Sequence, residues 1–213
     1  MKPILGCLIA VVVALVLIVV VGAVTAIGGY NSLTTLDQAV NAQWAQVQNV
    51  YQRRSDLIPN LVSTVSGAAN FEKSTLTEVT NARASVGRVQ INPGTAPSDP
   101  QKLKEFEAAQ GGLSSALSRL LVVAENYPNL KANSNFQALQ AQLEGTENRI
   151  SVERGRFNET VQSYNTTLRR FPMVFIGPMM GFSQKPYFAA AQGAEVPPKV
   201  DFNFGSPAAS PAK

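Results

Sequence analysis

The chain has no histidine and one cysteine among its 213 residues, and only 15% of them are charged. Without an imidazole, acid–base work near neutral pH would fall to carboxylates alone. With a single thiol, Cys7, no disulfide can form within the chain. Glycine-rich phosphate loops and paired metal-ligand spacings are also missing. The expectation is therefore a protein that is not an enzyme and takes no cofactor, no metal and no small-molecule substrate. Glu144, Glu147 and Asp56 are the carboxylates to inspect, but carboxylates on helices are usually solvated or paired with cations.

A basic patch is lacking too. The net charge is only +4 at a pI near 9.3. The arginines at 149, 154, 156, 169 and 170 are spread along one segment without interleaved exposed aromatics, which argues against nucleic-acid binding and suits a solvated face or acidic lipid headgroups.

What is abundant is apolar sequence. Ile4 to Ile27 carries no charge over 24 residues, and about 20 suffice to span a bilayer. The competing reading is a cleaved signal peptide, whose apolar region runs roughly 7–15 residues. Leu5-Gly6-Cys7 resembles a lipoprotein acylation box but has no apolar region ahead of it. Lys2 precedes the run, whereas Gly28 to Gln52 contains Asp37 and no lysine or arginine. The positive-inside rule then favours a cytoplasmic N-terminus, a bacterial inner-membrane location and a body on the extracytoplasmic side.

Beyond the run the pattern is helical. Leu33, Leu36, Val40, Trp44, Val47, Tyr51, Ile58, Leu61, Val65, Leu76, Val79 and Val86 keep to spacings of three and four or their sums, which predicts one very long amphipathic helix. Asn31 or Ser32 can cap its start, unless the membrane helix runs on through Gly28-Gly29. A second stripe, Leu103 to Ala124, follows a Pro/Gly-rich loop at residues 93–100. The third runs from Phe136 to Phe171, opened by Ser134-x-x-Gln137 as a capping box. Three such helices with short connections predict an all-α antiparallel bundle.

Two positions break the pattern. Pro59, in "QRRSDLIPNLVSTV", either kinks a continuing helix or sits in the first turn of a restarted one capped by Ser55 or Asp56; the unbroken phase of the stripe favours a kink. Arg54 lies on the apolar stripe between Tyr51 and Ile58. If it points inward it needs a carboxylate, and Glu147, with Glu144 alongside, offers a structural ion pair on the third helix. The alternative is that Arg54 lays its stem along the bundle and exposes its head.

Phe171 to Phe182 is short, apolar and too glycine-rich for a stable helix. Met173, Phe175, Ile176, Met179, Met180 and Phe182 are expected to form an interaction cap at one end of the bundle. Val200 to Phe204 carries a weak strand signal, and 205–213 a Pro/Ala/Ser tail of disordered composition.

The segments "YNSLTTLDQAVNAQWAQVQNVYQRRSDLIPNLVSTV", "YPNLKANSNFQALQAQLEGTENRI", "YNTTLRRFP" and "GFSQKPYF", in this order behind one apolar span, resemble the LemA family of bacterial membrane proteins. The resemblance covers about Tyr30 to Phe204. It implies a helical bundle on a single anchor, and it brings no catalytic residues because the family has no established activity. A more distant likeness ties the family to a magnetosome membrane protein, hinting at membrane organisation.

The expected organisation is a transmembrane anchor at 1–29, a bundle at 30–172, an apolar cap at 173–204 and a tail at 205–213. The expected role is a membrane-anchored scaffold or adaptor of the cell envelope that self-assembles or binds another envelope protein. The alternative is a module that shapes or senses the bilayer through its Phe/Met-rich segment.

Overall fold

One helix, α1 (Lys2–Ser66), carries the chain from the apolar run into the packed body over 65 residues. The computed structural model describes residues 2–68, 71–89, 91 and 94–189, with side chains from residue 12 onward. The signals at Val200–Phe204 and 205–213 lie outside the described residues. Neither Asn31 nor Ser32 starts a helix, because Gly28 and Gly29 are tolerated within one. Helix propensity disfavours each glycine by only about 1 kcal/mol, which the apolar run before them and the packing of Leu33, Val40 and Trp44 after them outweigh. Among the described residues α1 is the one helix long and apolar enough to cross a membrane, and its apolar stretch packs against nothing.

The remaining helices are α2 (Lys73–Arg88), α3 (Pro100–Ala124), α4 (Pro128–Lys131), α5 (Ser134–Arg169) and α6 (Met173–Met179). No strand occurs among the described residues. The long stripe of the sequence is therefore two helices: α1 ends before Gly67, the chain turns, and Leu76, Val79 and Val86 belong to α2. The shared phase hid the turn, since a stripe continues to look helical when the chain doubles back between two of its members.

Long-range contacts set the directions. Trp44 meets Phe157, Arg54 meets Glu147 and Gln43 meets Glu153, so α1 and α5 are antiparallel. Glu78 meets Arg119 and Phe71 meets Tyr127, so α2 and α3 are antiparallel as well. The result is an up-down-up-down helical bundle with α4 in the last turn.

The ends are fixed by local chemistry. Asp99 caps α3 by accepting from Gln101 N at 2.9 Å, with Pro100 at the first helical position, where an N–H is not needed. The start of α5 departs from the expected capping box: Asn133 is the cap, accepting from the backbone of Asn135 and Phe136, while Gln137 Nε2 donates to the Lys131 carbonyl. Ser134 is already the first helical residue.

Pro59 lies inside α1, so the helix continues through it. The Ser55 carbonyl, which loses its usual donor to the proline, accepts instead from Arg83 Nε on α2 at 3.3 Å.

Candidate functional site

The interior is two apolar cores stacked end to end. The membrane-proximal core joins Leu33 to Tyr51 of α1 with Leu103, Phe106 and the Ile150–Leu168 face of α5. The distal core joins Ile58 to Val65 with Val79, Leu113 to Ala124, Phe136 and Leu143. Arg54 sits at the boundary, one turn from Tyr51 below and Ile58 above.

Its side chain is 2% exposed. Nη1 donates to Ser114 Oγ at 2.8 Å and to Glu147 Oε2 at 2.7 Å, and Nη2 donates to the side chain of Gln110. The guanidinium also lies 5.2 Å from the centre of the Tyr51 ring, leaving Nε as the one nitrogen without a partner. This is a charge placed inside on α1 whose two terminal nitrogens are bonded by α3 and α5, which can hold the three helices in one register. Glu147 is 54% exposed, so the pair is buried on one side only. Glu144 does not join it: its carboxylate accepts from Gln140 at 3.1 Å. Both glutamates border a cleft of about 210 Å³ that reaches Arg54 between α3 and α5.

A second feature is an extended strap, residues 182–189, that runs back along α5. Asn165 donates Nδ2 to the Lys185 carbonyl and accepts from the Lys185 amide, at 2.8 and 2.9 Å. Asn158 treats the Phe188 backbone in the same way, at 3.0 and 2.9 Å. The two asparagines are seven residues apart, about 10 Å along a helix, and three extended residues span about the same length. The match lets a helix face imitate the edge of a sheet.

Side chains fasten the strap further. Lys185 pairs with Asp37 of α1 at 2.8 Å. Phe188 enters the proximal core against Trp44 and Phe157, with Arg154 over its outer face at 4.7 Å. Arg154 also pairs with Glu107 at 2.8 Å, so it is not the freely solvated cation its spacing suggested. Burial raises the Glu107 pKa, with Arg154 and the Ala189 amide opposing.

Tyr164 donates its hydroxyl to the Ser183 carbonyl at 2.9 Å. Burial, then the nearby Asp37 carboxylate, push its pKa from 10.0 up to about 12. A folded value above the unfolded one gives stability that is fully present below pH about 10 and is lost as the pH rises toward about 12. Tyr164→Phe should therefore flatten part of the alkaline decline in melting temperature, and melts of the two proteins across that range check it.

The third feature is a collar at the foot of the bundle. The Phe171–Phe182 segment does form a helix, α6, in spite of its glycine, because tertiary contact supplies what propensity does not. Gly29 lies so close to Met173, and Gly177 to Leu168, that a methyl group at either glycine would collide with its neighbour. Met173 is buried, Ile176 and Phe182 pack partly against the proximal core, and the Phe182 ring meets Tyr30 edge-on at 5.6 Å. Phe175, Met179 and Met180 face outward. So does Phe171, which the third stripe had placed inside; α5 ends before it, at Arg169.

Among the described residues no three metal-ligating side chains converge. A surface groove of about 710 Å³ between α2 and α3 is lined by small residues, and its one carboxylate, Glu78, is tied to Arg119.

The family model described as "LemA family" matches residues 43–202. The magnetosome protein MamQ of Magnetospirillum gryphiswaldense is 25% identical over 183 residues, covering 79% of this chain and 67% of its own length. MamQ 2 of Paramagnetospirillum magneticum is 26% identical over 203 residues, 88% of this chain and 75% of its own. The protein LemA of Metamycoplasma hominis is 21% identical over 146 residues, 68% of this chain and 62% of its own.

Proposed function

The chain belongs to the LemA family, and on that premise we propose that it is a membrane-anchored, non-catalytic scaffold that presents a rigid helical bundle to protein partners at a bilayer surface. The observation that carries this reading is the continuity of α1 from its apolar window into both cores. A span joined to its body by a loop would let the body tumble; a single helix through both holds the bundle at a fixed height and angle. The similarity to proteins named as magnetosome proteins, together with the apolar span of α1, supports a role at a membrane. The reading places the bundle on the extracytoplasmic side of the bacterial inner membrane, following the charge asymmetry around the span.

The partner is a second copy of the chain or another envelope protein. Val122 of α3 and Val152 of α5 are large apolar side chains that remain exposed on the bundle surface. Photo-crosslinking residues placed at these two positions in intact cells should give a discrete adduct with the same chain or with one other membrane protein. Recovery of the uncrosslinked chain alone from both positions, where a known envelope complex is trapped in parallel, would contradict the scaffold reading.

A further inference from the structure

We infer that the collar is a lipid-binding surface, seated in the anionic headgroup layer of the same bilayer that α1 enters. This goes beyond the scaffold reading and holds whether or not the bundle has a protein partner. The first argument is height. The apolar run ends at Ile27, and α6 contacts α1 through Met173 at Gly29 and through Gly177 beside Leu33. At 1.5 Å per residue those levels lie about 3 and 9 Å above the end of the run. The headgroup region on each side of a bilayer is about 5–8 Å thick, so the collar and that layer overlap.

The second argument is chemistry. Phe171, Phe175 and Met179 are 82%, 69% and 87% exposed, and apolar side chains of that size are seldom left in water as a cluster. Tyr30, an aromatic at the same level, is of the type that favours the membrane–water interface. Arg169 and Arg170 directly precede Phe171 at the exposed end of α5, and neither has an acidic partner among the described residues. Cations beside outward aromatics and methionines are complementary to acidic headgroups above acyl chains. Phe188 takes no part, because it lies in the proximal core, so the lipid-facing stretch ends with α6.

The test uses the full-length chain in vesicles of phosphatidylcholine or of equimolar phosphatidylcholine and phosphatidylglycerol. Phe175→Trp places a reporter on the collar, while the native Trp44 is fully buried and supplies a constant background. Lipids brominated near the carbonyl should quench the reporter several-fold more than they quench the unsubstituted chain, and more strongly when phosphatidylglycerol is present. Adding Arg169→Gln and Arg170→Gln should remove the extra quenching that phosphatidylglycerol brings. Circular dichroism should show unchanged helix content in each protein. Quenching by aqueous iodide but not by brominated lipid would leave the collar in water and overturn the inference. Protection from both quenchers would show a protein covering it, with the same result. Lipid quenching indifferent to phosphatidylglycerol and to the arginines would overturn the recognition of anionic headgroups.

Discussion

Arg54→Ala is expected to lower the stability of the bundle by about 3 kcal/mol, the lower part of the range for breaking a buried pair. The substitution opens a void between the two cores and strands the Gln110 side chain and Ser114 hydroxyl without their donor. Glu147 softens the loss because half of it already meets water, so its carboxylate can rehydrate. For the same reason Glu147→Gln should cost only about 1 kcal/mol, since the arginine keeps its bonds to Gln110 and Ser114. Arg54→Met should recover part of the alanine loss, because a flexible apolar chain refills the slot without a charge to satisfy. Thermal and denaturant unfolding of the detergent-solubilised chain gives all three values. A loss below about 1 kcal/mol for Arg54→Ala would mean that the arginine behaves as a surface residue.

Phe188→Ala is expected to cost about 3–5 kcal/mol, the usual penalty for removing a buried ring. The ring stacks on Trp44 at 5.9 Å, meets Phe157 at 5.3 Å and carries Arg154 on its outer face. Its loss removes the anchor that brings the Phe188 amide to Asn158 and, three residues earlier, the Lys185 amide to Asn165. The strap should therefore detach before the helices melt. Hydrogen exchange resolves the two events: the amides of Lys185 and Phe188 should lose protection in the variant while those of α1 and α5 retain it. Unchanged protection at both amides would show that the asparagines hold the strap without the ring.

The helices were legible because their faces repeat. Leu33 to Val65 and Phe136 to Leu168 fall on single stripes, and burial follows those stripes closely. Arg54 could be singled out because a charge on an apolar stripe must be explained by a partner, and the opposite stripe offered few carboxylates. The turn at Gly67 was not legible, since α2 resumes the phase of α1 by coincidence of loop length. Nor was the Asn133 cap, where a serine one residue later offered the more familiar pattern.

The strap escaped sequence reasoning for a different reason. Its backbone bonds run to Asn158 and Asn165, and asparagine on a helix ordinarily reads as a solvated residue. The available signal was position: Asn165 follows buried Tyr164 and precedes buried Leu168, and Asn158 follows buried Phe157, at a seven-residue interval that keeps one face. Polar side chains recurring beside a core stripe at that interval mark a place where another segment's backbone can dock. The collar was read as a cap from composition alone, but its level relative to the span depended on Gly29 and Gly177, whose role is to have no side chain.

The central claim is that span and bundle form one body through α1, and backbone hydrogen exchange of the full-length chain in a lipid bilayer tests it most directly. The amides of Gly28 to Leu33 lie where the helix leaves the apolar run and meets the collar. They should exchange as slowly as those of Val40 to Val47 in the proximal core. Exchange at the rate of an unstructured peptide across Gly28 and Gly29, with the core still protected, would mean a hinge between anchor and bundle and would contradict a scaffold held at fixed height.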